Sequence, residues 1–147
     1  MRTLGGRHAV AGPARPWREV RASYDRARRA LHLRSGQASL DTEQHLAVLV
    51  LGADTDALAD LRAQVLEPLS DLRPAAAEKL TATLRAWLLH HGRRDEIAEA
   101  LFVHPQTVRY RMGQLRELYG DRLEDPDTIL ALTVAVGIAP PQSDEPG

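Results

Sequence analysis

Two short apolar patterns separated by a turn constrain the fold of this chain more than any other feature. In residues 94–102, Ile97 and Leu101 are four positions apart. In residues 105–119, apolar side chains recur at intervals of four, three and four: Val108, Met112, Leu115 and Tyr119. This spacing gives each of two helices one apolar stripe. The pattern predicts a short helix and a longer helix packed against each other, with Ala98 leaving room for a close crossing.

The residues between the two stripes predict a bend and a restart. Val103 lies where it can fill the junction, and His104 can cap the second helix. Pro105 suits the first helical position, because no intrahelical partner of its missing N–H is lost there. Residues 94–119 are therefore predicted to form a helix-turn-helix.

The outward face of the second helix is polar. With Val108 pointing inward and about 100° per residue, this face carries Gln106, Thr107, Arg109, Tyr110, Gly113 and Gln114. Gln pairs with adenine, Arg with guanine, and the Thr methyl group contacts that of thymine. Exposed Gly113 could permit close approach to DNA or have no role. The face is suited to reading base edges in the major groove.

Other residues of the motif favour contact with the DNA backbone. Arg111 and Arg116 are predicted near the flanks of the second helix, and Arg94 begins the first. Such positions suit phosphate, which orients a protein without conveying sequence. His104, at the start of the second helix, is also predicted to contact DNA. The alternative from the residues alone is that both helices simply pack in a bundle.

The string from His104 to Met112, HPQTVRYRM, resembles the HxxT(V/L)RYR(L/M) core of the PucR/CdaR-type transcriptional regulators. The resemblance extends upstream to residues 80–88, similar to the "TLRAYL" helix of the family, and downstream to residues 123–126. It implies a C-terminal DNA-binding domain. Departures at Phe102, Pro105 and Gln106, where His, Arg and Asn are usual, concern the DNA sequence that is read rather than the fold.

The amino-terminal region is basic. Residues 1–35 hold nine Arg against two acids, although the net charge of the chain is −1. A helix is predicted over 17–34, with Val20, Tyr24, Ala27 and Leu31 on an apolar stripe and arginines opposite. An ordinary amphipathic helix is favoured over a nucleic-acid or membrane-surface helix. Residues 12–33 also resemble the last helix of the GGDEF-like sensory region that precedes the family's DNA-binding domain, which implies that strands and a ligand-sensing region are missing.

The remaining segments are predicted to be mostly helical. Residues 36–41 read as a polar linker, and the apolar run 42–51 is taken as a helix rather than a buried strand. Further helices are predicted over 55–66, over 75–91 with Gly92 as terminator, and after an Asp125 cap. The predicted domains are a sensory remnant (1–36), a helical connector (37–74), the helix-turn-helix domain (75–139) and a disordered tail (140–147).

Enzymatic and membrane functions find no support in the sequence. The chain lacks the phosphate-binding loop, the HExxH zinc helix and the GxSxG nucleophile elbow. Adjacent His90 and His91 would point about 100° apart on a helix, which does not suit a shared metal. No cofactor, metal or membrane span is expected, and the absence of cysteine fits a reducing compartment. We expect a non-enzymatic cytoplasmic protein.

The sequence therefore predicts an all-α regulator that binds double-stranded DNA with the helix Pro105–Tyr119. Residues 104–119 hold three Arg and one Glu, a modest positive charge for a DNA-binding segment. A single copy is therefore expected to bind DNA weakly, and a homodimer is expected. Residues 17–70 would supply the connector and the self-association surface, and any small-molecule effector site would lie outside this chain. The alternative is a helical protein-interaction or dimerisation module left by truncation of such a regulator.

Overall fold

The computed structural model describes residues 9–33 and 39–137, and these residues are predominantly helical. The α-helices are Val20–Arg29 (α1), Leu46–Leu51 (α2), Thr55–Val65 (α3), Pro74–Leu89 (α4), Arg94–Ala100 (α5), Pro105–Tyr119 (α6) and Pro126–Gly137 (α7). Two short strands are Ala9–Ala11 (β1) and Ser39–Asp41 (β2). This architecture confirms the predicted all-α class. The predicted tail, 140–147, lies outside the described residues.

The chain divides into two compact units at Asp54 and Thr55. The division falls inside the segment 37–74 that the sequence predicts as a connector. Helix α3 packs against α7 within the second unit. The assignment of residues 1–36 to a sensory remnant stays a prediction.

The first unit contains a parallel strand pair with a helix between its strands. Val10 of β1 lies opposite Leu40 of β2. At the end of β1, a Cβ atom on Gly12 would collide with the backbone carbonyl of Ser23 on α1, so the absence of a side chain permits this close packing. Residues 39–41 were expected in a polar linker, and no strands were expected here. That expectation was wrong, because a three-residue strand is too short to show a period in the sequence.

Three of the four residues in the apolar stripe predicted on the first helix are exposed. Val20 and Tyr24 each keep 63% of their surface accessible, and Leu31 keeps 54%. No residue of α1 is fully buried, whereas Ala30, directly after it, has no exposed surface. The apolar run 42–51 is helical as predicted, with a 3-10 turn at Thr42–His45 leading into α2.

The second unit is built around one apolar core. Helix α4 packs against α6 and α7, and α5 packs against α6. Leu84, Leu115 and Leu132, from α4, α6 and α7, are completely buried at the centre. The helical stripes predicted for these three helices therefore meet as one core.

Local hydrogen bonds cap the carboxyl end of α4 and the amino end of α7. At the end of α4, the N–H of Gly92 donates to the carbonyl of Trp87 at 2.9 Å, and the N–H of His91 donates to that of Leu88 at 3.5 Å. This is a Schellman motif, in which His91 (φ 51°), rather than the expected glycine, occupies the first left-handed position. Asp125 caps α7 as predicted, accepting the N–H of Thr128 at 2.8 Å.

Candidate nucleic-acid interface

The turn between α5 and α6 is closed by a second Schellman motif. The N–H of Val103 donates to the carbonyl of Ala98 at 3.0 Å, and the N–H of Phe102 donates to that of Glu99 at 3.1 Å. Phe102 adopts a left-handed conformation (φ 53°), and its side chain is 95% exposed. Val103 packs against the core, as predicted for a residue that fills the junction.

His104 begins the second helix of the motif in the predicted way. Its Nδ1 accepts a hydrogen bond from the N–H of Gln106 at 3.2 Å, and Pro105 occupies the first helical turn. Because Nδ1 acts as the acceptor, the neutral ring carries its proton on Nε2. His104 thus caps α6 and retains an N–H donor on its exposed side chain.

The inward face of α6 matches the predicted stripe. Val108, Met112, Leu115 and Tyr119 are all buried in the core. Ile97 and Ala98 of α5 are buried with them. The apolar face of α6 is therefore held against the core, and most polar side chains of the helix lie on its other faces.

Tyr119 fixes the carboxyl end of α6. Its Oη donates a hydrogen bond to the backbone carbonyl of Val65 in α3 at 2.8 Å. Burial raises the pKa of the Tyr119 hydroxyl to about 12, although the Arg122 charge opposes that shift. The phenol is therefore neutral and acts as a hydrogen-bond donor throughout the ordinary pH range.

The outward face of α6 forms a shallow depression of about 440 Å³. Its lining residues are Gln106, Arg109, Tyr110, Gly113, Gln114 and Glu117. Four of the predicted DNA-contacting side chains thus lie on one surface, with Gly113 leaving space between them. The sequence interpretation did not single out Glu117, although its position four residues after Gly113 places it on the same helical face.

The other four predicted contacts lie outside this depression. Arg94 is exposed at the start of α5, and His104 is exposed at the cap, whereas Thr107 is partly buried. Arg111 turns toward the scaffold, where its Nη1 donates to Thr83 Oγ1 of α4 at 3.4 Å. A guanidinium group has five N–H donors, so this contact leaves others available.

Thr83 is a structural contributor that the sequence interpretation missed. It is fully buried, and its Oγ1 also donates to the carbonyl of Lys79 at 2.8 Å. The periodicity of apolar residues cannot predict a hydrogen bond between a polar residue such as Thr83 and a distant side chain. Thr83 connects the long supporting helix to the helix that carries the polar face.

In residues 9–33 and 39–137, no cluster of three or more His, Asp or Glu side chains is arranged to hold a metal ion. None of the helices in these ranges has the length and apolar character that crossing a membrane requires.

Residues 80–138 match the family described as the PucR C-terminal helix-turn-helix domain. A Bacillus subtilis purine catabolism regulatory protein is 39% identical over a region covering 40% of this chain and 11% of that protein. An uncharacterised protein of Mycobacterium tuberculosis is 35% identical over 60% of this chain and 20% of the relative.

A third relative, an uncharacterised protein of Thermomonospora curvata, is 29% identical, and the similar region covers 71% of this chain and 69% of that protein. The chain thus spans most of this relative but only 20% of the mycobacterial protein and 11% of the Bacillus protein. The buried stripe of α6 and the capped turn before it lie within residues 80–138, the segment that matches the PucR C-terminal helix-turn-helix domain.

Proposed function

We propose that this chain is a DNA-binding transcriptional regulator that places α6 in the major groove. The observation that carries the proposal is the polar face of α6, which lies opposite a fully packed apolar face. In helix-turn-helix proteins the second helix reads base edges while the first crosses the backbone. The match to the PucR domain and the similarity to a purine catabolism regulatory protein support this function.

The proposed base contacts come from the exposed or partly exposed side chains of α6. Gln106 and Gln114 would pair with adenine, and Arg109 would pair with guanine. Thr107 would contact a thymine methyl group, and Tyr110, which is 66% exposed, would pack against bases or sugars. Together these side chains span about two turns of the helix.

The proposed phosphate contacts lie beside this face. Arg94, at the start of α5, is exposed and would meet the backbone that α5 crosses. The Nε2–H of His104 and the remaining N–H donors of Arg111 would serve at the two flanks of α6. These residues would set the position of the domain without reading sequence.

We further propose that the regulator acts as a homodimer. One recognition helix covers few base pairs, and two copies would bind half-sites about 34 Å apart. The exposed apolar side chains of the first unit, including Val20 and Tyr24, offer a surface for self-association. Sedimentation should show a dimer that Tyr24→Asp weakens, whereas a wild-type monomer at high concentration would contradict this part of the proposal.

A second candidate function is protein interaction without DNA binding. Charge favours it, because residues 55–137 hold ten Lys and Arg against thirteen Asp and Glu. A domain with an acidic excess gains no long-range attraction to DNA from its net charge. Any affinity for DNA must therefore come from arginines placed near the binding face, and selection of bound DNA tests whether that affinity exists.

Selection of bound duplexes from a random DNA pool at moderate salt distinguishes the DNA-binding regulator from the protein-interaction module. We expect enrichment of a half-site motif, which Gln106→Ala and Arg109→Ala each abolish or alter. Gln64→Ala on α3 and Arg73→Ala before α4 remove the same exposed side-chain types elsewhere and should leave the motif unchanged. No enrichment, with residual binding insensitive to salt, would favour the interaction module.

The proposed activity requires neither a cofactor nor a metal, and it involves no enzymatic step. It places the protein in the cytoplasm, in contact with chromosomal DNA. An effector that controls it would bind outside this chain, so DNA binding by this chain alone should not need a small molecule.

A further inference from the structure

A small cleft lies beside the proposed reading face, where α4, α5 and α6 meet. It has a volume of about 80 Å³. Three arginines open onto it: Arg94, Arg109 and Arg116. Its apolar wall is formed by Ile97, Val108 and Met112, with the indole of Trp87 beside Gly92. The cleft thus combines three cationic groups with a rigid apolar floor.

Within residues 9–33 and 39–137, the three arginines of the cleft lack the ion pair or hydrogen bond that most other arginines of the second unit make. Arg85 donates to the carbonyl of Gly137, Arg93 pairs with Glu96 at 3.0 Å, and Arg111 donates to Thr83. Among the described residues, the guanidinium groups of the cleft make no ion pair or side-chain hydrogen bond: Arg94, Arg109 and Arg116.

Three like charges around one cleft repel one another, which is unfavourable. The three arginines cluster here although the second unit as a whole has a net negative charge. An anion at the centre would relieve that repulsion. The guanidinium fork donates paired hydrogen bonds to the oxygens of a phosphate group. One phosphate group fits a space of this size, since a water molecule occupies about 30 Å³ in the liquid.

We propose that this cleft binds one phosphodiester group of the DNA backbone, adjacent to the major groove that receives α6. Arg109 supports this occupant, because it lines both the cleft and the outward depression of α6. A phosphate in the cleft would therefore lie next to the bases that α6 faces. The proposal rests on the DNA-binding function proposed above and identifies the contact that sets the register of α6.

The first test compares arginine substitutions in the full chain. Arg94→Gln and Arg116→Gln should each weaken binding to the selected duplex about tenfold, since each removes a charged hydrogen-bond donor. Arg73→Gln removes the same charge from an exposed arginine outside the cleft and should leave affinity nearly unchanged. If the cleft variants behave like Arg73→Gln while the wild type binds duplex, the inference is wrong and the proposed function stands.

Salt dependence then counts the phosphates. If Arg94 and Arg116 share one phosphate, the double variant should reduce the slope of log affinity against log salt by about 1. A reduction of about 2 would indicate two separate phosphates and contradict a single site. Failure of the wild type to bind any duplex would overturn both the function and the cleft proposal, which separates that result from a failure of the cleft alone.

Trp87 offers a direct probe and distinguishes the backbone from free phosphate. In a Trp17→Phe background, where Trp87 is the remaining tryptophan of the sequence, duplex should change its fluorescence, and the Arg94→Gln/Arg116→Gln variant should lose that change. Inorganic phosphate should displace duplex more effectively than chloride at equal ionic strength. If inorganic phosphate saturates the change in Trp87 fluorescence but does not affect duplex binding, the cleft is a site for free anions and the proposal is wrong.

Discussion

The two units of the chain differ in how much of their structure depends on buried side chains. In the described part of the first unit, the buried residues are few and mostly small: Pro13, Ala30, Leu40 and Thr42. The second unit has a continuous core of fifteen buried residues. Burial of apolar surface contributes about 25 cal/mol per Å². We infer that side-chain packing defines the second unit, whereas backbone pairing of β1 with β2 contributes more to the first.

The largest expected effect is that of a charge placed in the core of the second unit. Val108→Asp buries a carboxylate without a partner at a position that is 1% exposed, which should cost several kcal/mol and unfold the motif. Val50→Asp, at a position of the first unit that is 72% exposed, is the matched control. Unchanged thermal melting of the Val108 variant would show that the inward face is wrongly assigned.

A cavity in the core should have a smaller but measurable effect. Leu132→Ala removes a completely buried side chain of α7 and should lower the free energy of unfolding of the second unit by about 2–5 kcal/mol. Leu130→Ala on the same helix, where the side chain is 64% exposed, should change it by less than about 0.5 kcal/mol. Equal losses in chemical denaturation would contradict the division of α7 into buried and exposed faces.

Removing the Tyr119 hydroxyl should reveal a long-range polar contact. Tyr119→Phe leaves the carbonyl of Val65 without this donor and should destabilise the second unit by about 1–2 kcal/mol at neutral pH. The folded pKa of about 12 exceeds the ordinary value of 10.0, so the contribution of the neutral phenol is complete below pH 10. It should disappear as the pH rises through 12.

Denaturation of wild type and Tyr119→Phe across this alkaline range isolates that contribution. The difference between the two proteins should narrow as the pH rises, because only the wild type must keep a phenol protonated on folding. A difference that stays constant up to pH 12 would be inconsistent with a buried donor.

The smallest expected effect is a gain in stability. The second unit holds Phe102 and His91 at φ values of 53° and 51°, where glycine is less strained. Phe102→Gly should therefore raise the free energy of unfolding by up to about 1 kcal/mol, since its exposed side chain buries almost nothing. His91→Gly tests the same backbone position at the end of α4. A clear loss in both variants would show that these side chains make stabilising contacts.

Much of the second unit was predictable because its contacts follow helical periodicity. Val108, Met112, Leu115 and Tyr119 share one face at intervals that only a helix produces. His104 and Pro105 are recognisable from the local chemistry of a helix start. Local rules of this kind operate within a few residues and can be read directly from the sequence.

The features that escaped prediction depend on residues far apart in the chain or on very short segments. The bond from Tyr119 to Val65 joins α6 to α3, and the bond from Arg111 to Thr83 joins α6 to α4. The spacing of residues along the sequence indicates neither of these two pairings. The three-residue strands β1 and β2 carry too few alternations to be recognised, and the clustering of arginines from α5 and α6 in one cleft appears only after the helices pack.

Two hydrogen bonds tie α6 to other helices: the Arg111 to Thr83 bond near its middle and the Tyr119 to Val65 bond at its end. Together they oppose both rolling of the helix about its axis and sliding along it. The aim of α6 is therefore independent of the side chains on its outer face. If α6 reads DNA as proposed, substituting Gln106 or Gln114 should change the DNA sequence that is bound without changing the orientation of the helix. The sequence specificity could then be altered while the supporting helices stay the same.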